Sequence, residues 1–398
     1  MRWQHIKTIY LKEIMDTVRD KRTLYVMILV PLILMPALML LGPVLGERET
    51  KKTQETVYNV VVQGEENSKE LVTFLKQSPK LKVVNSSTPE EALKNGDVNL
   101  IVTIPKGFTE EIQKEKVAKV DLKYQGKNSV SDAAKMQVSE IINTYGKQVV
   151  ATRLSQRGLS SEVLEPLQIN SSNIASQEEM GGAFLAMILP MIIVLWSVVG
   201  GMYTAIDLGA GEKERGTLEA LLVTPPSRKA VVMGKYLAIL TVAMITIVLA
   251  LTSMVLSLKF LMPMFIKGAE SQKITLPMTT TAIILGIAFL VTGFLSALQL
   301  AISAFARSFK EAQNYITPLY LLAVLPASVL QFMPSFQPPE PMFYLPIINA
   351  VLEFKELFMG NIVGKHLGMV VSSNIVFIYL ALRFVFKTFD KEKVLFRT

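Results

Sequence analysis

Hydrophobic positions along this chain are gathered into long blocks that charged segments separate. An α-helix needs about 20 residues to cross a hydrocarbon core of about 30 Å, and six of the blocks approach that length. We therefore predict a mainly α, polytopic membrane protein with six transmembrane helices. The predicted spans are residues 24–46, 183–206, 236–258, 280–305, 316–332 and 369–386.

The segment between the first two predicted spans, residues 47–180, has a different pattern. Runs of β-branched residues such as VYNVVVQG and VNLIVTIP each precede a stretch with helical spacing. This alternation predicts an inserted α/β domain with a small sheet. A long helix, from about Ser131 to Arg157, is predicted to lead back towards the second span.

Two shorter segments have the pattern of amphipathic helices. Residues 1–23 carry apolar side chains at helical spacing, which predicts a helix lying in the membrane interface; a soluble helix packed on another domain is the alternative. Residues 333–367 predict re-entrant or short helices in the outer membrane face, or else a surface helix resting on the leaflet. The residues proposed for the interfacial face are Trp3, Ile6, Tyr10 and Ile14.

Charge predicts how the chain is oriented. Six spans put both termini on one side, where the segments hold 18 Lys and Arg against 10 Asp and Glu, while the opposite side holds 23 of each. Because short cytoplasmic loops carry the basic excess, we predict a plasma-membrane protein with both termini cytoplasmic. Residues 207–235 and the tail 387–398 are then cytoplasmic, and residues 47–180 are extracellular.

The basic excess is spread over several juxtamembrane segments rather than gathered in one patch, which excludes nucleic acid as a partner. The chain has no cysteine, so an exported domain folds without disulfides, and this favours a bacterial or archaeal cell surface.

Motifs for catalysis or nucleotide binding are missing from the sequence. There is no G-x-x-x-x-G-K-[ST], so the chain has no P-loop for nucleotide phosphates, and there is no G-x-S-x-G. The two histidines, His5 and His366, are predicted on opposite sides of the membrane and form no metal pair. We expect no catalytic residue, no cofactor bound by this chain and no firmly assigned metal site.

The predicted cytoplasmic loop contains GEKERGTLEALLVTPPSRKAVVMGKY, residues 211–236. Leu218 and Leu222 fall on one face of a short helix, Glu212 lies near its start and Pro225 stops it. A helix that only holds two spans apart explains the leucines. The mixed-sign polar face is instead suited to docking on a soluble protein.

The segment EKERGTLEALLVTPPSR, residues 212–228, resembles the cytoplasmic segment of ABC-2 type permeases of ABC transporters. The stretch RDKRTLYVMILVPLILMPAL, which enters the first predicted span, agrees with this resemblance. Within the family, the start of the chain and its large outside domain look most like the sodium-exporting permeases. The resemblance implies a type V exporter-like fold and the transmembrane permease subunit of an ABC exporter.

The resemblance also implies the partners. ATP and Mg²⁺ would bind on a separate ABC ATPase subunit, and a second permease copy, expected to be identical, would complete the transporter within the lipid bilayer. The residues carried over as contacts that couple the permease to its ATPase are Glu212, Glu214, Arg215, Gly216, Thr217, Leu218, Glu219, Leu222 and Pro225.

Sodium is the substrate that the resemblance implies. A hard cation needs oxygen ligands, and few side chains in or near the predicted spans offer them. Because carboxylates at mid-membrane are scarce, export of a drug, a peptide or a lipid-linked molecule stays open. In another class of function, the chain is a membrane-anchored receptor or scaffold that presents its extracellular domain. The candidate substrate path is Asp207, Gln299, Asn349, Glu353 and Glu356.

Overall fold

A computed structural model describes residues 3–37, 40–41, 56–160, 163, 167, 170–222, 224–261, 277–333 and 336–390. The chain divides into two compact units. The helical unit comprises Met1–Val44 and Ile174–Thr398, and the inserted unit comprises Leu45–Asn173.

The helical unit begins with two helices. Helix α1 spans Trp3–Arg19, and its inward stripe of Ile6 and Ile9 is buried. Helix α2 covers residues 21–37 and includes a π-helical turn over Tyr25–Leu29. The predicted first span continues to residue 46, so its last part lies outside the described residues.

The inserted unit is built on a four-stranded sheet with strand order β2-β1-β3-β4. Strand β1 pairs in parallel with β2 and β3, whereas β3 and β4 are antiparallel. The central strands carry β-branched side chains that are buried on both faces, as parallel strands covered by helices require. The strands are β1 (Tyr58–Gln63), β2 (Leu81–Val83), β3 (Leu100–Thr103) and β4 (Asp121–Lys123).

Four helices join and cover these strands within the described part of the inserted unit: α3 (Lys69–Lys76), α4 (Pro89–Asn95), α5 (Phe108–Gln113) and α6 (Ser129–Gln156). The Ser68 side chain caps α3 by accepting a hydrogen bond from the Leu71 amide (3.3 Å). Helix α6 has 28 residues and buries Ala134 and Val138 in the core of the unit. The extracellular placement of this unit stays a prediction.

The rest of the helical unit consists of longer helices. Helix α7 begins at a capping box in which Ser176 and Glu179 bond reciprocally to each other's backbone amides. The helices are α7 (Gln177–Ile206), α8 (Thr217–Leu222), α9 (Arg228–Leu256), α10 (Met278–Phe305), α11 (Phe309–Gln331), α12 (Ile348–Phe358) and α13 (Gly364–Asp390).

Within the described residues, four helices are long and apolar enough to cross a membrane: Glu178–Glu214, Arg228–Leu261, Met278–Phe305 and Gly364–Asp390. They contain the predicted second, third, fourth and sixth spans. The predicted fifth span lies mostly in α11, which is not among these four, and α2 contributes a shorter apolar helix over Met27–Ala37. The count of six spans therefore stays a prediction. The predicted tail lies outside the described residues from residue 391 onward.

Helix α7 is the centre of the helical unit, because α9, α10, α11 and α12 all pack against it. Its residues Leu189 and Ile193 belong to a large buried apolar cluster that also includes Val291 of α10 and Phe354 of α12. The short helix α12 is thus surrounded by longer helices, and its position is fixed by packing on several sides.

Candidate functional site

The loop between α7 and α9 is an extension of α7 that turns into a short exposed helix. Helix α7 continues through a π-helical turn over Asp207–Gly211 and a last turn over Glu212–Glu214. Gly216 then adopts φ +69°, a left-handed conformation that favours glycine, and lets the chain reverse into α8. Ser227 caps α9 by accepting a hydrogen bond from the Ala230 amide, which fixes the end of the loop at the start of that helix.

A buried lysine lies behind this loop. Lys235 of α9 is fully buried, and its ammonium group lies 2.5 Å from Glu212 Oε2. The same Nζ donates to the Leu208 carbonyl at 2.7 Å and lies 3.8 Å from Glu13 Oε1. The π-helical turn opens the backbone of α7 at this point, and the lysine reaches the carbonyl that the turn presents.

Lys12 of α1 completes the group. Its Nζ lies 3.0 Å from Glu13 Oε2 and 3.2 Å from Glu212 Oε1. Lys12 Nζ also lies 3.5 Å from Asp16 Oδ2, on the exposed side of α1. We call Lys12, Glu13, Glu212 and Lys235 the buried ion cluster. It joins α1, the loop and α9 through charge-assisted hydrogen bonds.

The pKa shifts in α1 follow from this arrangement. Burial raises the pKa of the Glu13 carboxyl, and the neighbouring Glu212 adds to this, while Lys235 and Lys12 oppose it. Burial acts to lower the pKa of Lys12, but the carboxylates of Glu13 and Glu212 outweigh it and raise that pKa above its ordinary value. The cluster thus depends on all four charges being present together.

Close packing holds α1 beside α9 in addition to the ions. Gly234 faces α1, and a Cβ at this position would lie 2.6 Å from Ile9 Cγ2 and 2.8 Å from Ile9 Cβ. Glycine is required here because any side chain would push the two helices apart. Tyr10 adds a hydroxyl contact of 3.3 Å with Thr241 of α9.

The predicted coupling residues divide into an inner and an outer set. Glu212 is in the buried ion cluster and Leu218 is 3% exposed, so both face the helices rather than a docking partner. The side chain of Leu222 lies outside what the structure describes. The exposed members are Glu214, Arg215, Gly216, Thr217, Glu219 and Pro225.

Two exposed members of this set also fix the loop to its neighbours. Glu214 Oε2 accepts a hydrogen bond from the Phe309 amide at the start of α11 (2.8 Å). Arg215 donates to Asp207 Oδ1 at 2.7 Å, which ties the outer side of the turn to the end of α7. Lys213 donates to the Ala304 and Ala306 carbonyls at the end of α10. A displacement of the loop is therefore felt by α7, α9, α10 and α11.

The predicted interfacial residues are also divided between two faces of α1. Ile6 is buried against the helical unit, Tyr10 and Ile14 are half-buried, and Trp3 is 67% exposed. Leu11, Met15 and Val18 are exposed as well and extend the outward apolar surface from Trp3. The helix presents one apolar face to α9 and a second one to its surroundings, as an interfacial helix that also docks on protein would.

The candidate substrate residues fall into three places. Asp207 pairs with Arg215 beside the loop. Gln299 is buried in α10, where its Nε2 donates to the Val198 carbonyl of α7 at 2.6 Å, so it ties two helices together. Asn349, Glu353 and Glu356 share one face of α12, as their spacing predicts.

The residues on that face of α12 contact α13. Asn349 Nδ2 donates to Ser373 Oγ at 2.9 Å, and His366 Nδ1 lies 3.0 Å from each carboxylate oxygen of Glu356. Glu353 is fully buried between these two contacts. In the part of the chain that the structure describes, no group of three or more His, Cys, Asp or Glu residues is placed to hold a metal ion.

Comparison with known proteins decides the family. A family model described as ABC-2 family transporter protein matches residues 21–383. The chain belongs to the ABC-2 transporter family. A relative, the ABC transporter permease protein NatB of Bacillus subtilis (strain 168), is 30% identical over 358 residues, covering 89% of this chain and 90% of that relative.

An ABC-2 permease is the transmembrane component of an ABC transporter and works with an ATPase subunit. The chain is therefore a membrane protein and a transporter permease subunit. The alternative of an anchored receptor or scaffold does not agree with this membership, which accounts for the charged loop as part of a transporter.

Sequence reasoning missed three of the four residues of the buried ion cluster in this ABC-2 permease. Lys12 and Glu13 are only one charged pair among many, and Lys235 was placed at the end of a polar loop. One signal was available, because Ile6, Ile9, Glu13 and Thr17 fall on a single helical stripe, which α1 buries. An acid on an otherwise apolar stripe requires a buried basic partner.

Proposed function

We propose that this chain is the permease subunit of an ATP-driven exporter that extrudes sodium ions, with a separate NatA-like ATPase bound at its cytoplasmic loop. The observation that carries the coupling part of this proposal is the buried ion cluster, which connects an exposed charged loop to α1 and α9. Sodium as cargo is supported by the sequence resemblance of the start of the chain to sodium-exporting permeases.

The mechanism begins at the exposed rim of the loop. The exposed side chains of Arg215, Thr217 and Glu219 offer a positive charge, a hydroxyl and a negative charge to a soluble partner. A complementary polar surface of this kind gives specific binding without a large exposed apolar patch. When the ATPase subunits close on ATP, the loop is displaced. Glu212 transmits this displacement to Lys235 in α9 and to Lys12 in α1, since buried ion pairs do not stretch without a large cost.

The proposed orientation follows from charge. With both termini cytoplasmic, the loop and α1 lie on the side where ATP is available, and the inserted unit is extracellular. Outward-facing apolar residues on α1, such as Trp3 and Leu11, then rest in the inner leaflet interface. A second, identical permease copy completes the transporter, and each copy takes one ATPase.

The experiment is co-reconstitution of the permease and its ATPase in vesicles, with ATP added on the side of the loop. We expect ATP-dependent movement of sodium that requires both subunits, and no movement with a non-hydrolysable ATP analogue. Absence of sodium movement, in vesicles where ATP is hydrolysed and a hydrophobic dye is moved, would exclude sodium as the cargo and leave the permease assignment intact.

One observation favours a second cargo class. A cavity of about 370 Å³ lies among α7, α9, α10 and the end of α12, and almost all of its lining is apolar. Leu189, Leu251 and Phe358 are among the lining residues. A site of this kind suits a drug or the chain of a lipid-linked molecule better than an ion. The dye in the vesicle assay tests this alternative directly.

A further inference from the structure

Glu353 lies inside a seam between two antiparallel helices. Asn349 of α12 contacts Ser373 of α13. Glu356, seven residues further along α12, contacts His366, which precedes Ser373 by seven residues in α13. The two contacts therefore bracket Glu353, which shares the same face of α12. We call this region the α12–α13 seam.

The carboxylate of Glu353 has no partner in the seam. Its side chain is fully buried, and neither Oε1 nor Oε2 receives a hydrogen bond from any residue that the structure describes. Glu356, the neighbouring acid, uses both of its oxygens on His366. An ionised carboxylate without a donor or counter-ion is among the most unfavourable groups to bury.

Hydrogen-bond directions fix the other oxygens of the seam. Ser373 Oγ donates to the Val370 carbonyl, so it must accept the hydrogen bond from Asn349 Nδ2. Asn374 Nδ2 also donates to the Val370 carbonyl, at 2.8 Å. Both amide groups therefore have their NH₂ side committed, which fixes which way each amide is turned.

The consequence is an excess of acceptors. Asn349 Oδ1, Asn374 Oδ1 and the two Glu353 oxygens are buried and without a hydrogen-bond donor among the described residues. Oxygen atoms that carry one negative charge and lack donors are what a hard monovalent cation or a proton requires. A hydrogen-bonding organic ligand would need hydrogen-bond donors from the protein as well. The four unpartnered oxygens of the seam can only accept.

We propose that the α12–α13 seam binds one Na⁺ ion, with the Glu353 carboxylate as the charged ligand and Asn349 and Asn374 as neutral oxygen ligands. The proposal deepens the sodium-export function proposed above and rests on it. Both Glu356 oxygens contact His366, so the Glu353 carboxylate is the one whose oxygens are left for an ion, and this suits a monovalent ion rather than a divalent one.

Other charged groups near the seam are already engaged. Lys355 donates to the Leu330 carbonyl, and Glu340 pairs with Lys365. Helix α10 has no titratable residue along its length, and the part of α11 next to α12 has none. The elements packed around Glu353 carry Glu356 and Lys355 on its own helix, His366 and Lys365 at the start of α13, Glu340 and Tyr344 before α12, and Glu178 and Glu179 at the start of α7. Farther along the same helices are Tyr203 on α7, Lys310, Glu311, Tyr315 and Tyr320 on α11, and Tyr379, Arg383, Lys387 and Asp390 on α13.

The test uses the purified full-length permease in detergent, with thermal unfolding measured in NaCl and in choline chloride of equal ionic strength. Wild type is expected to unfold at a higher temperature in NaCl, because an ion that binds only the folded state stabilises it. Glu353→Gln, which removes the charge and keeps the shape, is expected to lose this sodium-dependent shift. Glu340→Gln, an exposed acid close to α13, is the matched control and should keep it.

Two further arms keep the result interpretable. Glu353→Asp retains a carboxylate, so it should preserve a smaller sodium shift even if the packing is disturbed. Adding NaCl to weakly buffered wild type should release protons if Na⁺ displaces a proton, and the Gln variant should release fewer. A pH-dependent stability that vanishes in Glu353→Gln, without any sodium shift in wild type, would show that Glu353 titrates as a buried acid and would overturn the sodium site.

Equal sodium and pH responses in wild type and Glu353→Gln would overturn the proposal. The vesicle assay distinguishes failure of the proposed sodium site from failure of the proposed sodium export. If sodium is exported normally by Glu353→Gln, the seam is not the site although sodium export stands. If the sodium shift depends on Glu353 but no sodium is exported, the site stands and another cargo must be sought.

Discussion

At the scale of single residues, buried charge is the feature that sets this permease apart from a simple helical bundle. Lys235 and Glu13 are fully buried, and Glu212 is nearly so. Charged groups persist in such places only when they are paired and hydrogen-bonded, and here each basic group reaches a carboxylate. Glu353 is the exception, since it has no such partner among the described residues.

Replacing Lys235 by methionine should destabilise the folded permease strongly. The change leaves Glu13 and Glu212 facing Lys12 alone, and breaking a buried ion pair costs about 3–5 kcal/mol. The free energy of unfolding in detergent measures the effect. Lys229→Met, an exposed lysine in the first turn of the same helix, is the control and should change stability little.

A double variant tests whether charge imbalance is the cause. Glu212→Leu combined with Lys235→Met leaves Lys12 paired with Glu13, so it should recover much of the lost stability. If the double variant is as unstable as Lys235→Met alone, the lost stability comes from packing and not from the unpaired carboxylates.

The stability of wild type should also depend on pH through Glu353. Burial, together with the negative charge of Glu356, raises the pKa of Glu353 to about 7, although His366 opposes this. The folded state therefore holds a proton that the unfolded chain has already lost at mildly acidic pH. In sodium-free solution, stability should fall as pH rises from the ordinary carboxyl pKa to about 7, with no further loss from this group above that value.

The unfolding temperature in choline chloride between mildly acidic and mildly alkaline pH measures this dependence. Glu353→Gln should be flatter than wild type over the same window, and Glu340→Gln should follow wild type. A Gln variant that tracks wild type throughout would mean that Glu353 does not titrate in this range.

At the scale of elements, α1 is bound to α9 by both packing and charge, and it also presents apolar side chains outward. This dual role explains why the periodicity of residues 3–18 is broader than a single face. A wide apolar arc predicts an amphipathic helix over these residues, and α1 is such a helix, but the arc does not reveal which side docks on protein. Gly234 on α9 decides that, because only there can α1 approach closely.

Gly234→Ala should weaken the docking of α1. Alanine raises helix propensity by up to about 1 kcal/mol relative to glycine, but here its Cβ collides with Ile9. Gly286→Ala in α10 is the control, because a Cβ there meets nothing within 4 Å and the change should be neutral or stabilising.

Limited trypsin digestion can report on α1, since the peptide bonds after Lys7, Lys12 and Arg19 are protected by the helical backbone and can be cleaved when the helix loosens. We expect faster cleavage in α1 for Gly234→Ala than for wild type or Gly286→Ala. Identical digestion of all three proteins would contradict the packing role given to Gly234.

The loop helix α8 should govern affinity for the ATPase. Glu219 is exposed on this helix, so Glu219→Lys should reduce the amount of ATPase that co-purifies without lowering the stability of the permease. Glu140→Lys, an exposed acid within a helix of the inserted unit, is the matched control. If Glu219→Lys retains the ATPase at every salt concentration, the exposed rim of the loop is not the docking surface.

At the scale of the whole molecule, the sequence predicts the long apolar helices well and their ends poorly. The predicted third span began at residue 236, whereas α9 begins at Arg228, so Lys235 is two turns inside a helix. Hydropathy places the boundary of a span where charged residues start, whereas hydrogen bonds determine where a helix begins. Here Ser227 caps the beginning of α9. The π-helical turn at Asp207–Gly211 has no signature in hydrophobic periodicity either.

The candidate sites were predictable only as far as local spacing determines them. Spacing alone places Asn349, Glu353 and Glu356 on one face of a helix, and the structure has them there. It does not indicate that α13 covers this face, because the contacts of Ser373 and His366 are made across the fold. The buried ion cluster joins residues about 200 positions apart, and no local pattern identifies such partners.

In the proposed mechanism, the buried ion cluster passes the movement of the ATPase to the permease helices. The most direct test is to measure ATP hydrolysis and sodium movement together in vesicles that contain the ATPase with either wild type or the Glu212→Leu, Lys235→Met double variant. We expect that the variant still binds the ATPase and hydrolyses ATP but moves far less sodium per ATP. An unchanged ratio of sodium moved to ATP hydrolysed would contradict this mechanism.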